Sequence, residues 1–355
     1  MKNCYSIFKI CIYVLLISSV KVFTQDPIDV VYCWVDDSDQ QWKELRNFYL
    51  KQTKSARYVP KSASSIARYR DHQELRYSLR SLYQYAPFVN HIYIVTMGQT
   101  PSWLIKHPKI TIVDHKEIFA FEEHLPTFNS LAIESHLHRI PGLCEKYLYL
   151  NDDYFFNKEV FPEDFFTKDG VMQEVFDSKL KYKQGSIKKL SGAQVCLQNT
   201  QKFLDGIFGK KVRPYPTHCP HPFTKSYVNF IEQLYPEIFY KSSAEKFRGG
   251  EGFSITYSFL QHYGLETGMY RQSPLKERTL VIKKNAAHSL DGSLQELAEA
   301  TTHFISLQDE FSPDEDISLK VIAFLKKKYP QPAPWEKLED QSALTIGKSS
   351  QLVVE

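Results

Sequence analysis

The stretch "EKYLYLNDDYFF", residues 145–156, carries a short apolar run into Asn151, Asp152 and Asp153. A run of that length, rich in Tyr and Leu and stopped by polar residues, reads as a buried strand. Three others resemble it: "IDVVYCWV" (28–35), "HIYIVTM" (91–97) and "KITIVD" (109–114). Helical patterns lie between them. "QQWKELRNFYLKQ" follows Ser38 and Asp39, which suit an N-cap, and "DHQELRYSLRSLYQYAP" spaces Leu75, Leu79 and Leu82 along one face before Pro87. "TFNSLAIESHLHRIPG" does the same with Leu131, Leu137 and Ile140 before Pro141. The alternation predicts an α/β fold, a mostly parallel sheet with helices on both faces. In such sheets ligands sit outside the carboxyl ends of the strands, where "WVDDSD" and "LNDD" both fall.

The second half is less regular. Residues 178–192 read as an exposed loop, followed by helices over "TKSYVNFIEQLYPEIF" and "GFSITYSFLQHYG", strand-like "RTLVIKK" and an amphipathic helix around "ISLKVIAFLKKKYP". This largely helical half is expected to complete the active site of one catalytic domain over residues 26–337, leaving a partly disordered tail at 338–355. At the amino terminus, Lys2 and Lys9 precede an apolar run at 10–20, shorter than the roughly 20 residues a comfortable span needs. Residues 1–25 therefore read as a signal peptide or signal anchor, with membrane association through the N-terminus and a secretory, Golgi location. The alternative is a cytoplasmic microbial enzyme with an unprocessed leader.

A net charge of +3 over 355 residues gives no reason to expect nucleic acid. Outside the leader, Cys33, Cys144, Cys196 and Cys219 form no CxxC pair, so zinc-finger spacing is absent and one or two disulfides are allowed. P-loop, GxGxxG, GxSxG and HExxH motifs are also absent, which removes the usual support for ATPase, dehydrogenase, hydrolase and zincin readings.

Adjacent carboxylates after a strand can hold Mg²⁺ or Mn²⁺ against the diphosphate of a nucleotide sugar, and Asp152 with Asp153 are the metal candidates. The competing reading is a capped turn. A second acidic group, Asp36, Asp37 and Asp39, favours ligand binding; Trp34 and Tyr32 nearby are either a stacking platform for a base or, for Trp34, simply part of the core. Glu134 lies mid-helix on one face with His138, as an exposed pair or a functional one. "THCPHPF" sets His218 and His221 in a predicted loop, for general base, phosphate or metal work. Arg248, followed by two glycines, could bring a guanidinium and close backbone to an anion.

These stretches resemble the Stealth family of sugar-phosphate transferases. "IDVVYCWVDDSD" looks like its first conserved block (28–39). The segments from "ARYRDHQELRYSLRSLYQYAP" to "LCEKYLYLNDDYFF" look like the second (67–156), "HCPHPF" to "KFRGGEGF" the third (217–263), and "FISLQDE" with "YPQPAPWEK" the fourth (304–337). The resemblance implies a Rossmann-like fold and transfer of a hexose 1-phosphate, typically from UDP-N-acetylglucosamine, to a glycan, polysaccharide or glycoprotein hydroxyl with release of UMP. It places catalytic roles on Glu134, Asp153, His218 and Arg248; Asp36, Arg70 and Asp71 are the candidates for donor contacts. Either His218 or Glu134 would take the hydroxyl proton. The chain departs from the family pattern at Asp37, where Gly is usual, and at Gln308, where Asn is common; large spacer modules found in the lysosomal-enzyme transferase are missing. The rivals are a metal-dependent glycosyltransferase that releases UDP, and an inactive nucleotide-sugar or glycan-binding member.

Overall fold

Four parallel strands, β1 (Ile28–Cys33), β2 (Ile92–Thr96), β3 (Ile110–Asp114) and β4 (Lys146–Asn151), coincide with the four apolar runs. The computed structural model describes residues 26–179, 182–283, 289–309 and 315–337; the expected leader and tail lie outside the described residues. Short strands follow: β5 (Tyr154–Phe156), β6 (Met172–Glu174), β7 (Phe176–Asp177), β8 (Tyr215–Pro216) and β9 (His221–Thr224). After them come β10 (Tyr270–Gln272), β11 (Glu277–Ile282) and β12 (Phe304–Asp309).

The main sheet has the order β3-β2-β1-β4-β9, parallel except for β9, which runs against β4. Successive residues of β1, β2 and β4 are buried without alternation, so both faces of the sheet are covered, as an α/β layer requires. Building outward from β1, the chain adds β2 and β3 on one side and then returns to place β4 on the other. That reversal is a Rossmann-like switch point, and in such sheets the ligand crevice lies where it falls here, at the carboxyl ends of β1 and β4. Asp152 and Asp153 form the two-residue link from β4 to β5, where the chain leaves the main sheet for a second one, β11-β12-β5.

Several local expectations need correction. The pattern over 127–142 is broken: a helix covers only Ser130–Glu134, and a 3₁₀ turn follows at Leu137–Arg139. Ser135 Oγ donates back to the Ala132 carbonyl at 2.7 Å, competing with the helical ladder, and Pro141 forces Ile140 out of helical geometry. Helix Lys225–Leu234 stops at Tyr235, because Pro236 starts a new helix, Pro236–Ala244, at the position Pro favours. The sequence reading passed over helix Gly192–Phe208, whose start is marked by a Ser191/Gln194 capping box. The loop expected across "THCPHPF" becomes strand β9 from His221. All four described cysteines are free.

Candidate active site

At the switch point Cys33 and Asn151 are register partners, so the acidic ends of β1 and β4 emerge side by side. The β1 end is mostly engaged in local structure. Asp39 caps helix Gln40–Ala56 by accepting from the Gln41 and Trp42 amides, and Asp36 Oδ1 accepts from Ser38 N at 2.8 Å. Gln99 Nε2 ties the turn together, donating to Asp39 at 3.0 Å and to the Asp36 carbonyl at 2.9 Å. Two of three acids in this group therefore satisfy turn and cap amides. Neither nearby ring is open to a base: Trp34 is 6% exposed and donates its Nε1 to Asp71 at 3.2 Å, while Tyr32 is fully buried against Ser78 at 2.9 Å.

The β4 end differs. Burial, then Asp153 and Asp71, push the Asp152 carboxyl well above the ordinary range. Burial followed by Asp71 and Asp152 does the same to Glu74, and burial raises Asp71 although Gln73 N donates to it at 2.7 Å. Burial raises Asp153 to about 7 against the opposing pull of Arg248, with Glu277 adding repulsion. Asp153 Oδ1 is buried and has no partner. Converging carboxylates with an orphaned oxygen suit a hard divalent cation: Mg²⁺ takes one or two protein carboxylates and completes its shell with water and substrate phosphate. Asp152 and Asp153 fit that donor set.

Arg248 links this cluster to Glu134. Its Nη2 donates to Ser130 Oγ at 2.5 Å, and Ser130 Oγ donates to Glu134 Oε1 at 2.8 Å. Glu134 Oε2 accepts from Thr256 Oγ1. Glu134 therefore ends a five-residue helix, buried beside hydroxyls, while His138 faces away to pair with Glu232 at 2.9 Å; the expected Glu134–His138 face does not form. Arg248 sits where two backbones meet: a Cβ on Gly192 would lie 2.7 Å from the Arg248 carbonyl. The following glycines serve the turn, since Gly250 has φ +64° and a Cβ there would strike Glu245.

His218 closes the site from the other side. Burial, with His221 and Arg248 adding to it, lowers its imidazole to about 3, so it is neutral. Asn151 Nδ2 donates to Tyr154 Oη at 3.1 Å, which leaves the Tyr154 hydrogen for His218 Nδ1 at 3.0 Å. Tyr257 donates to the Pro216 carbonyl at 2.7 Å and so accepts from His218 Nε2 at 3.2 Å. Gln308 Nε2 lies 2.6 Å from the same nitrogen, where an amide N–H donates to a bare ring nitrogen, so Tyr257 and Gln308 call for opposite tautomers of His218. Arg70 is 2.7 Å from Asp309, which also meets His72 at 3.4 Å.

The four expected catalytic residues thus share one site: Arg248 reaches Glu134 through Ser130, and its charge acts on Asp153 and His218. Asp152 and Asp71 join them through the carboxylate cluster, and Asp36 acts electrostatically on Asp71. Sequence reasoning missed Ser130, Tyr154, Thr256 and Tyr257. The last two sit in a π-turn, Ile255–Phe259, where one wide turn sends Thr256 to Glu134 and Tyr257 to His218. No local signal marks such a turn.

Residues 26–54, 68–174 and 217–265 match, in order, Stealth protein CR1 (conserved region 1), CR2 (conserved region 2) and CR3 (conserved region 3). The chain is 37% identical over 317 residues to an exopolysaccharide phosphotransferase of Streptomyces coelicolor, covering 88% of this chain and 53% of that protein. It is 34% identical over 319 residues to the exopolysaccharide phosphotransferase CpsY of Mycobacterium tuberculosis, covering 88% and 58%. The chain spans about half the length of these relatives. A galactosyltransferase, LgtC, solved with donor and acceptor sugar analogues, superposes with a TM-score of 0.44 at 10% identity, covering 89% of this chain and 99% of that one.

Proposed function

Since the chain belongs to the Stealth family, we propose that it transfers a sugar 1-phosphate, N-acetylglucosamine 1-phosphate in the first instance, from a UDP-sugar to a hydroxyl of a polysaccharide or related glycan. The acceptor oxygen forms a bond to the phosphorus nearest the sugar, the bond from that phosphorus to the bridging oxygen breaks, and UMP leaves with the electron pair. The product is a phosphodiester.

The observation that carries this reading is the placement of Arg248. One guanidinium, hydrogen-bonded toward Glu134 and acting on Asp153 and His218, marks where anionic charge is received. Asp152 and Asp153 would hold Mg²⁺ or Mn²⁺, which when bound neutralises the diphosphate. The chain's own groups supply the rest. Arg248 clamps the donor phosphates. His218 donates an imidazole N–H to a phosphoryl oxygen. Glu134, the carboxylate set beside the Ser130 and Thr256 hydroxyls and apart from the metal candidates, takes the hydroxyl proton.

The test is to incubate the purified chain with UDP-N-acetylglucosamine, Mg²⁺ and oligosaccharide acceptors, and to separate the nucleotide products. UMP release that is lost with EDTA and in Asp153→Asn is the expected result. UDP release would instead establish glycosyl transfer, with the same donor cleaved at the anomeric carbon.

A further inference from the structure

Behind His218 the fold gathers a second set of donor atoms that the proposed transfer does not use. Glu174 ends β6, Cys219 lies in the turn before β9, and His221 begins that strand; all three are fully buried. One ligand atom from each lies within 4.8 Å of the others. Glu174 Oε2 is 2.9 Å from His221 Nδ1, and its Oε1 is 3.8 Å from Cys219 Sγ. Tetrahedral zinc, with bonds of about 2.0–2.3 Å, sets its ligand atoms roughly 3.3–3.7 Å apart, and the Glu174 carboxylate reaches His221 with one oxygen and Cys219 with the other, so it stands between the two remaining donors.

Charge and softness point the same way. A thiolate, a carboxylate and a neutral imidazole around Zn²⁺ sum to zero, which removes the main cost of burying them. Without an ion the Cys219 thiol is pushed well up by burial and Glu174, and His221 is held at Nδ1 alone, its buried Nε2 having no partner. Thiolate and imidazole together select zinc over the magnesium that suits Asp152 and Asp153. Thr217 Oγ1, 3.5 Å from Sγ, offers an oxygen for a fourth position. The rings of Tyr154 and Tyr257, centred 6.1 and 5.4 Å from the His221 ring, wall the site off from solvent.

We propose that Glu174, Cys219 and His221 bind a structural zinc ion that clamps the turn presenting His218. Two ligands come from the His218–His221 segment itself and the third from a separate strand, so the ion would fix the segment against β6 at the point where His218 must hold its register with Tyr154 and Tyr257.

The test reads metal rather than turnover, which keeps it separate from the transferase reading. The full chain is purified under reducing conditions without chelators and its metals are measured by mass spectrometry. About one zinc per chain is expected, falling to background in Cys219→Ser and in His221→Ala. Co²⁺ in place of zinc should give tetrahedral d–d bands and a thiolate charge-transfer band that Cys219→Ser removes. If Cys219→Ser does not fold, the variant with Cys33, Cys144 and Cys196 all changed to Ser must keep that band. The proposal is overturned by a folded wild-type chain that holds no zinc and takes up neither Zn²⁺ nor Co²⁺, or by zinc that survives in folded Cys219→Ser.

Discussion

The two sides of the crevice are finished to different degrees. On the β4 side, Asp71, Glu74, Asp152 and Asp153 crowd together, every one pushed toward its protonated form by burial, and one oxygen of Asp153 has no partner. On the opposite side both nitrogens of His218 are engaged, Nδ1 by Tyr154 and Nε2 by Tyr257 and Gln308. One side is a cluster of carboxyls held away from their charged forms by burial. The other is organised before substrate arrives, which is how preorganised donors avoid reorganisation during reaction. Arg248 lies between them, and it is the residue whose loss should disturb both.

Arg248→Gln is therefore the largest expected effect, a fall in kcat on the order of 10³-fold, the scale at which an arginine on a transferring phosphoryl group acts. It should also weaken the contrast: without the guanidinium the Asp153 carboxyl titrates higher still, and Mn²⁺ binding followed by calorimetry should shift to higher pH. An Arg248→Gln chain with normal Mn²⁺ affinity across pH would separate Arg248 from the carboxylate side.

The next experiment divides Glu134 from His218. If Glu134 takes the proton, Glu134→Gln should lose about 10³-fold in kcat. His218→Gln keeps an N–H donor on a side chain of similar reach, so a loss of about tenfold is expected, one hydrogen bond's worth. The reverse ranking would make His218 the base.

Much of this site was legible in the sequence, for a reason that also explains the gaps. Asp153 and Arg248 could be flagged because their chemistry is carried by local neighbours: two carboxylates closing an apolar run, a guanidinium before two glycines. The four parallel strands were equally plain, since burial on both faces writes a continuous apolar run. What stayed hidden depends on distant partners. Asp39 was legible as an N-cap, but Asp36 looked like a ligand because its amide partner in the turn cannot be seen in a string, and Trp34 looked like a stacking platform because its indole reaches Asp71, far along the chain. Helix Gly192–Phe208 was passed over because Gly192, a poor helix former, opens it; the glycine is there to let Arg248 come close.

A smaller effect tests whether the acidic side is incomplete without metal. Asp153 is raised to about 7, so the metal-free native chain holds a proton there from about pH 4 upward that the unfolded chain has released. That contribution to stability is full below the ordinary carboxylate range and is lost as pH rises through about 7. Buried neutral histidines oppose it: His218, His262 and His136 are lowered to about 3 and His115 to about 4, so they favour folding increasingly as pH rises toward 6.5. The carboxyl must be isolated by difference. In thermal melts without metal, wild type minus Asp153→Asn should fall between pH 5 and 7.5, and saturating Mg²⁺ should flatten the slope for wild type alone.

The smallest effect is the most specific to this geometry. Asp71 raises both Glu74 and Asp152 by repulsion, and its own carboxyl is raised by burial. Asp71→Asn keeps an oxygen to accept from Gln73 N and from the Trp34 indole while removing that repulsion, so the metal-free chain should become more stable, by about 2 °C in Tm. The same change should weaken Mn²⁺ binding a few-fold, because less negative charge surrounds the ion. Opposite signs for stability and metal affinity are what a site strained for function produces, whereas a purely structural Asp71 would lower Tm and leave Mn²⁺ binding alone.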